Sequence, residues 1–170
     1  YTSGTTGNPK GVMYTHRSTV LHTIASVQNN ALNITNDTVL LPVVPMFHVN
    51  AWGTPYAATM TGAKIVFPAH GMDGASLYEL INGEQANLLL GVPTIWLGLL
   101  NYLDQIGATL TSVKNVVVGG AAAPLSMIKA FQEKHDAFLI HAWGMTELSP
   151  LGTVNSMTRA MAQMPLEQRY

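Results

Sequence analysis

Short runs of aliphatic and β-branched residues alternate along the chain with longer stretches whose apolar positions recur every three or four residues. The runs at 39–41, 64–67, 87–90, 113–118 and 137–140 predict strands. Between them the spacing predicts helices over 18–29, 51–60, 75–81, 94–103 and 125–134, with Pro93 and Pro124 where a first-turn proline is tolerated. Strands alternating with helices predict an α/β fold, a layered and mostly parallel sheet with flanking helices. Glycine-containing segments follow several strands: Gly91-Val92-Pro93, Gly119-Gly120 and Gly144. Ligands of open α/β sheets gather beyond the carboxyl ends of the strands, so a site is expected in these loops. There is no repeat, linker or low-complexity tract.

Composition narrows the picture. The 170 residues are enough for one ordinary domain. Only 10% are charged and 48% are hydrophobic, against about 25% charged in an average soluble domain. A surface so poor in charge is expected to be covered by other parts of a longer polypeptide, which fits a start without Met. A net charge of −1 offers no basic field for nucleic acid or anionic lipid. The uncharged stretch between Asp37 and Lys64 is interrupted by Pro42, Pro45, His48, Asn50 and Pro55, so no membrane span is expected. The absence of cysteine removes disulfides, thiolate metal sites and thiol nucleophiles, and is compatible with a cytoplasmic location.

The first eleven residues, Tyr1-Thr2-Ser3-Gly4-Thr5-Thr6-Gly7-Asn8-Pro9-Lys10-Gly11, place four Ser/Thr hydroxyls, three glycines and a lysine in one loop. Glycines let backbone N–H groups turn toward an anion, hydroxyls add donors and the ammonium adds a point charge, which together suit phosphate. The spacing is not that of a P-loop, and Gly11-Val12-Met13-Tyr14 reads as extended, so hydroxyls and lysine must supply what a helix dipole does elsewhere. A plain Ser/Thr/Gly turn is the bland alternative.

Across these residues the chain resembles the adenylate-forming (AMP-binding) acyl-CoA synthetases, most closely the medium- and long-chain fatty-acid-CoA ligases, whose signature reads Tyr-Thr-Ser-Gly-Thr-Thr-Gly-x-Pro-Lys-Gly. Two further segments follow in the family's order. Val116-Val117-Val118-Gly119-Gly120-Ala121-Ala122-Ala123-Pro124 reads as a buried strand, a bend without side chains and a helix start. His141-Ala142-Trp143-Gly144-Met145-Thr146-Glu147 matches the family's aromatic-Gly-x-Thr-Glu motif, with Ala142-Trp143 where many members have Gly-Tyr.

The resemblance implies ATP contacts from Thr2, Ser3, Gly4, Thr5, Thr6, Gly7 and Lys10, and adenine or acyl-adenylate contacts from Gly120 and Ala121. It also implies stacking of adenine on Trp143, pairing of its edge with backbone near His141 and Ala142, nucleotide contact at Gly144, and a hydrogen bond from Thr146 to the α-phosphate. Glu147 would hold Mg2+, with Thr2 as second candidate. The aromatic segment Pro45-Met46-Phe47-His48-Val49-Asn50-Ala51-Trp52-Gly53 matches the family's acyl tunnel. His48, Val49 and Trp52 would line it, with Gly91, Val92 and Pro93 as the opposite wall. A lone His among apolar residues is otherwise a core or capping residue. His16, His22, His70 and His135 show no ligand spacing and are read as structural.

What the resemblance implies is an acid-thiol ligase using ATP, Mg2+ and coenzyme A, with Lys10, His48, Thr146 and Glu147 as the catalytic set. Residues 1–170 would be part of a large N-terminal AMP-binding domain. The ribose-binding Asp, its following Arg and the lysine of a C-terminal domain would lie beyond Tyr170, so the segment alone is expected to be inactive. A homodimer of the full-length protein is compatible with this. The aromatic segment lacks an acid for an α-amino group, which favours fatty or thioether acids. Two alternatives stay open: an adenylation domain that loads a carrier protein, and a non-catalytic nucleotide-binding remnant.

Overall fold

A computed structural model describes residues 1–2 and 7–170; the expected phosphate contacts Ser3, Gly4, Thr5 and Thr6 lie outside the described residues. Five strands run parallel: β1 (Val39–Pro42), β2 (Lys64–Ile65), β3 (Leu88–Gly91), β4 (Asn115–Val118) and β5 (Phe138–Gly144). A sixth, β6 (Leu151–Val154), returns antiparallel along β5, and the sheet order is β2-β1-β3-β4-β5-β6. Crossover helices α4 (Gly74–Glu84), α5 (Pro93–Ile106) and α6 (Leu125–His135) join successive parallel strands from β2 to β5. Before them come α1 (His16–Ser26), the single turn α2 (Val49–Trp52) and α3 (Thr54–Thr61), and near the end α7 (Arg159–Ala162).

Parallel strands need both faces covered, which is why their sequences are unbroken aliphatic runs. Successive residues point to opposite faces. Leu41, Leu89, Val116, Val118 and Leu139 meet Leu77, Ile81, Trp96, Leu99, Leu103, Met127 and Phe131. Leu40, Leu88, Leu90, Val117, Ile140 and Ala142 meet Leu32, Ile34, Ala57 and Ala58. With both faces closed, the strand ends remain as open backbone. Among the described residues no helix is long and apolar enough to cross a membrane.

Three departures from the sequence pattern have physical causes. The expected strand at 64–67 shortens to two residues because β2 is an edge strand paired only with Val39 and Leu40 of β1. The expected helix over 51–60 begins only at Thr54, because the turn before it winds the other way. Finally, β6 is a short run interrupted by Gly152, too weak a pattern to read as a strand.

One buried polar group gives the fold a pH dependence. His135, 6% exposed, closes α6 and accepts the Leu110 N–H at Nδ1 (3.4 Å), while its Nε2 finds no partner among the described residues. Burial pushes the imidazole below its ordinary value of 6.5; Asp104 opposes that shift and Lys134 adds to it. The folded state therefore prefers the neutral ring. Its stabilisation is fully present above a pH of about 6.5 and is lost as pH falls from there through the lower folded value. His135→Gln is expected to reduce the slope of melting temperature against pH below about 6.5; an unaltered slope would refute this role.

Candidate functional site

Beyond the carboxyl ends of β3, β4 and β5 lies a cavity of about 590 Å³. Four separate stretches of chain wall it: Tyr1 and Thr2; Phe47 to Val49 with Trp52; Gly119 and Gly120; and Ala142 to Glu147 with Pro150 and Leu151. Leu32, Leu90 and Val117 add apolar surface from the sheet side.

The first stretch is clasped at its base. Thr2 N–H donates to the Lys10 carbonyl (2.9 Å), and Lys10 N–H donates back to Thr2 Oγ1 (3.0 Å). The Tyr1 ring lies beside Gly11, where a Cβ would stand 3.5 Å from Cε1. This closure sets Thr2 on the cavity rim. Lys10 and Gly7 are exposed and stand outside the wall.

At the exit of β4 the missing side chains have definite neighbours. A Cβ at Gly119 would come within 3.0 Å of the Trp52 ring, so the indole closes over the strand end. Gly120 turns with φ +78°, a region glycine enters freely, and a Cβ there would press on Val92 at 3.3 Å. Ala121 is exposed and outside the wall. Gly91 makes room for Trp96, whose ring a Cβ would approach to 2.7 Å, and Trp96 Nε1–H donates to the Val117 carbonyl (3.4 Å). Of the Gly-Val-Pro segment and its neighbours, Leu90 lines the cavity while Gly91, Val92 and Pro93 stand behind it.

From Ala142 onward, the residues of the β5 motif line the cavity. Ala142 faces the cavity, whereas the exposed His141 stands outside it with its N–H given to Asn155 Oδ1 (2.6 Å). Trp143, 56% exposed, lies across Gly152 of β6, where a Cβ would meet its ring at 2.8 Å and Leu148 at 2.7 Å. Gly144 ends the strand against the Pro150 carbonyl, and the 3-10 turn Thr146–Leu148 then presents Thr146 and Glu147 to the cavity.

The opposite wall is built on unusual backbone. Val49, Asn50, Ala51 and Trp52 all have positive φ (49°, 53°, 47° and 58°), followed by Gly53 at 79°. Left-handed backbone costs roughly 1–2 kcal/mol per residue with a Cβ, most for a β-branched one such as Val49. Burial of Ala51, the Thr54 hydroxyl bonded to the Ala51 carbonyl (2.9 Å), and Asn50 Nδ2 bonded to the Tyr56 hydroxyl (3.0 Å) hold the turn. Its effect is to place His48, Val49 and Trp52 on the cavity.

Glu147 and Thr2 both bring hard oxygen donors to the cavity wall. Among the described residues no group of three or more His, Cys, Asp or Glu could hold a metal unaided. That donor set suits magnesium, which takes one or two carboxylates and completes its shell with phosphate and water. Behind the rim, Tyr14 donates its hydroxyl to the Thr146 carbonyl, and its pKa is raised by burial first, then by Glu147 and Tyr56. Neither Tyr14 nor Gly152 stands out in the sequence; only long-range contact reveals them.

The family model described as AMP-binding enzyme matches residues 1–168. The chain is 56% identical over 156 residues to the medium-chain-fatty-acid–CoA ligase of Ectopseudomonas oleovorans, covering 92% of this chain and 29% of that ligase. To the 3-methylmercaptopropionyl-CoA ligase of Ruegeria lacuscaerulensis it is 49% identical over 170 residues, covering 100% of this chain and 32% of that ligase. The O-succinylbenzoate coenzyme A synthetase of Bacillus subtilis, in complex with ATP and magnesium ion, superposes with a TM-score of 0.80 at 26% identity. That superposition covers 96% of this chain and 33% of the synthetase. The chain thus spans less than a third of the length of these two curated relatives.

The seat of Trp143 is directly testable. Gly152→Ala should lift the indole and raise the fraction of tryptophan emission that acrylamide quenches, a change absent in a Trp143→Phe background. Identical quenching with and without the added methyl would show that Gly152 does not seat the ring.

Proposed function

The chain belongs to the AMP-binding enzyme family, and from that premise we propose that it is the part of an acyl-CoA ligase's N-terminal domain that holds the ATP phosphates and the acid. The substrate carboxylate attacks the α-phosphorus of ATP, forming acyl-AMP and releasing pyrophosphate. The thiol of coenzyme A then attacks the acyl carbon, forming the thioester and releasing AMP. One observation carries the reading: Thr2, Gly120, Trp143, Thr146, Glu147, His48 and Trp52, drawn from stretches far apart in sequence, meet around one cavity.

Little covalent chemistry falls to the protein in the first step, so its work is alignment and offsetting charge on phosphate oxygens. Trp143 offers a ring face for adenine beside the bare backbone of Gly120. Thr146 donates to the α-phosphate, and Lys10 with the hydroxyl loop neutralises the outgoing pyrophosphate. Glu147, with Thr2, would hold magnesium, whose charge offsets that of the phosphates. His48, in the cavity wall, would meet the acid's carboxylate.

The acid is aliphatic or thioether in character. Leu32, Leu90, Val117 and Leu151 give the inner wall an apolar lining, and Glu147 is the single acidic residue among the described wall residues. That leaves no carboxylate placed for a substrate amino group. The two ligases named above act, by their names, on medium-chain fatty acid and 3-methylmercaptopropionate, two acids of this kind.

In the full-length protein, Glu147→Ala should lower acid-dependent ATP–pyrophosphate exchange by about a hundredfold or more, the scale of losing one aligned electrostatic group. Exchange at the wild-type rate in that variant would overturn the assignment.

A further inference from the structure

Tyr14 is half-buried and lies outside the cavity wall, yet its hydroxyl reaches across the fold to donate to the Thr146 carbonyl. The turn it touches has little else to fix it. Its other backbone bonds are local: Met145 N–H to Pro150 (3.0 Å), Leu148 N–H to Met145 (2.9 Å) and Ser149 N–H to Thr146 (3.4 Å). Glu147 itself is exposed. A short exposed 3-10 turn with only local bonds opens readily.

A carbonyl held from outside fixes its whole peptide plane, because the peptide group is rigid. Here that plane is the one between Thr146 and Glu147, so its orientation governs where the Glu147 side chain departs. The phenol comes from the segment just after the Thr2–Lys10 clasp, which ties the acidic turn to the base of the candidate phosphate loop. A second tie lies farther along. His22 of α1 accepts the Leu151 N–H at Nε2 (3.0 Å), holding the start of β6 rather than the turn itself.

We propose that Tyr14 is a positioning residue: by holding the Thr146 carbonyl it orients the peptide that carries Glu147, and so sets the direction of the metal-binding carboxylate in the cavity wall. The proposal rests on reading Glu147 as the magnesium ligand of an ATP site. It adds a residue outside the cavity on which that ligand's placement depends. Tyr14→Phe keeps the ring and removes only the donor.

Two readouts on the full-length protein test it. Amide hydrogen exchange across residues 145–149 should speed up about threefold to tenfold in Tyr14→Phe, the loss expected for one net hydrogen bond. The magnesium concentration needed for half-maximal ATP binding, measured by calorimetry, should rise by a similar factor, while binding of metal-free ATP stays unchanged. His22→Ala is the control: it should free the Leu151 amide without moving the magnesium requirement. A wild type with magnesium-dependent ATP binding and a Tyr14→Phe variant with the same dependence overturns this proposal alone. An equal shift in His22→Ala overturns it too, by showing general loosening of the hairpin. A wild type whose ATP binding ignores magnesium overturns the parent reading and this proposal with it.

Discussion

A parallel sheet buried on both faces leaves its carboxyl edge as the place where backbone can meet a ligand, and the arrangement of this chain follows from that constraint. Leucine and valine fill the two faces, so side-chain variety is confined to the turns at the strand ends. β4 is followed by Gly119 and Gly120, and β5 closes on Gly144. Side chains at these points would strike Trp52, Val92 and the Pro150 carbonyl. The glycines thus do two things at once: they let the surrounding turns close in, and they leave bare backbone as a surface of the cavity.

The cavity's two sides are held in different ways. The side with Trp143, Thr146 and Glu147 is a hairpin extension of the sheet, seated on Gly152 and tied at Tyr14 and His22. The side with His48 and Trp52 is a left-handed turn that no local preference favours, held by a buried alanine and two side-chain hydrogen bonds. Strain of this kind persists only where the surroundings over-determine it, and it concentrates at functional sites. Trp52 connects the two sides, since its ring rests against Gly119 at the sheet edge.

The parts legible in the sequence were those encoded locally. The aliphatic runs of β1, β3, β4 and β5 are long enough to read as strands, and the prolines and glycines mark where they give way. The motif stretches point to Thr2, Gly120, Ala142, Trp143, Gly144, Thr146 and Glu147, all of which line the cavity. His141 and Gly91, read from the same motifs, stand outside the wall: His141 is tied to Asn155 and Gly91 is packed on Trp96, long-range contacts that a linear motif does not convey. The left-handed turn was illegible because Val49, Ala51 and Trp52 have no liking for positive φ; only Asn50 and Gly53 hint at it. Tyr14 and His22 contact residues more than a hundred positions away, and no local pattern records such pairs.

On the proposed function, one cavity would hold both halves of an acyl-adenylate, the nucleotide against Trp143 and Gly120 and the acyl group toward Trp52. A crystal structure of the full-length protein with a non-hydrolysable medium-chain acyl-AMP analogue tests it most directly. Adenine is expected on the Trp143 side, the phosphate beside Thr146 and the acyl chain among Leu32, Leu90 and Val117. An analogue bound elsewhere, or bound with its chain directed away from Trp52, would contradict it.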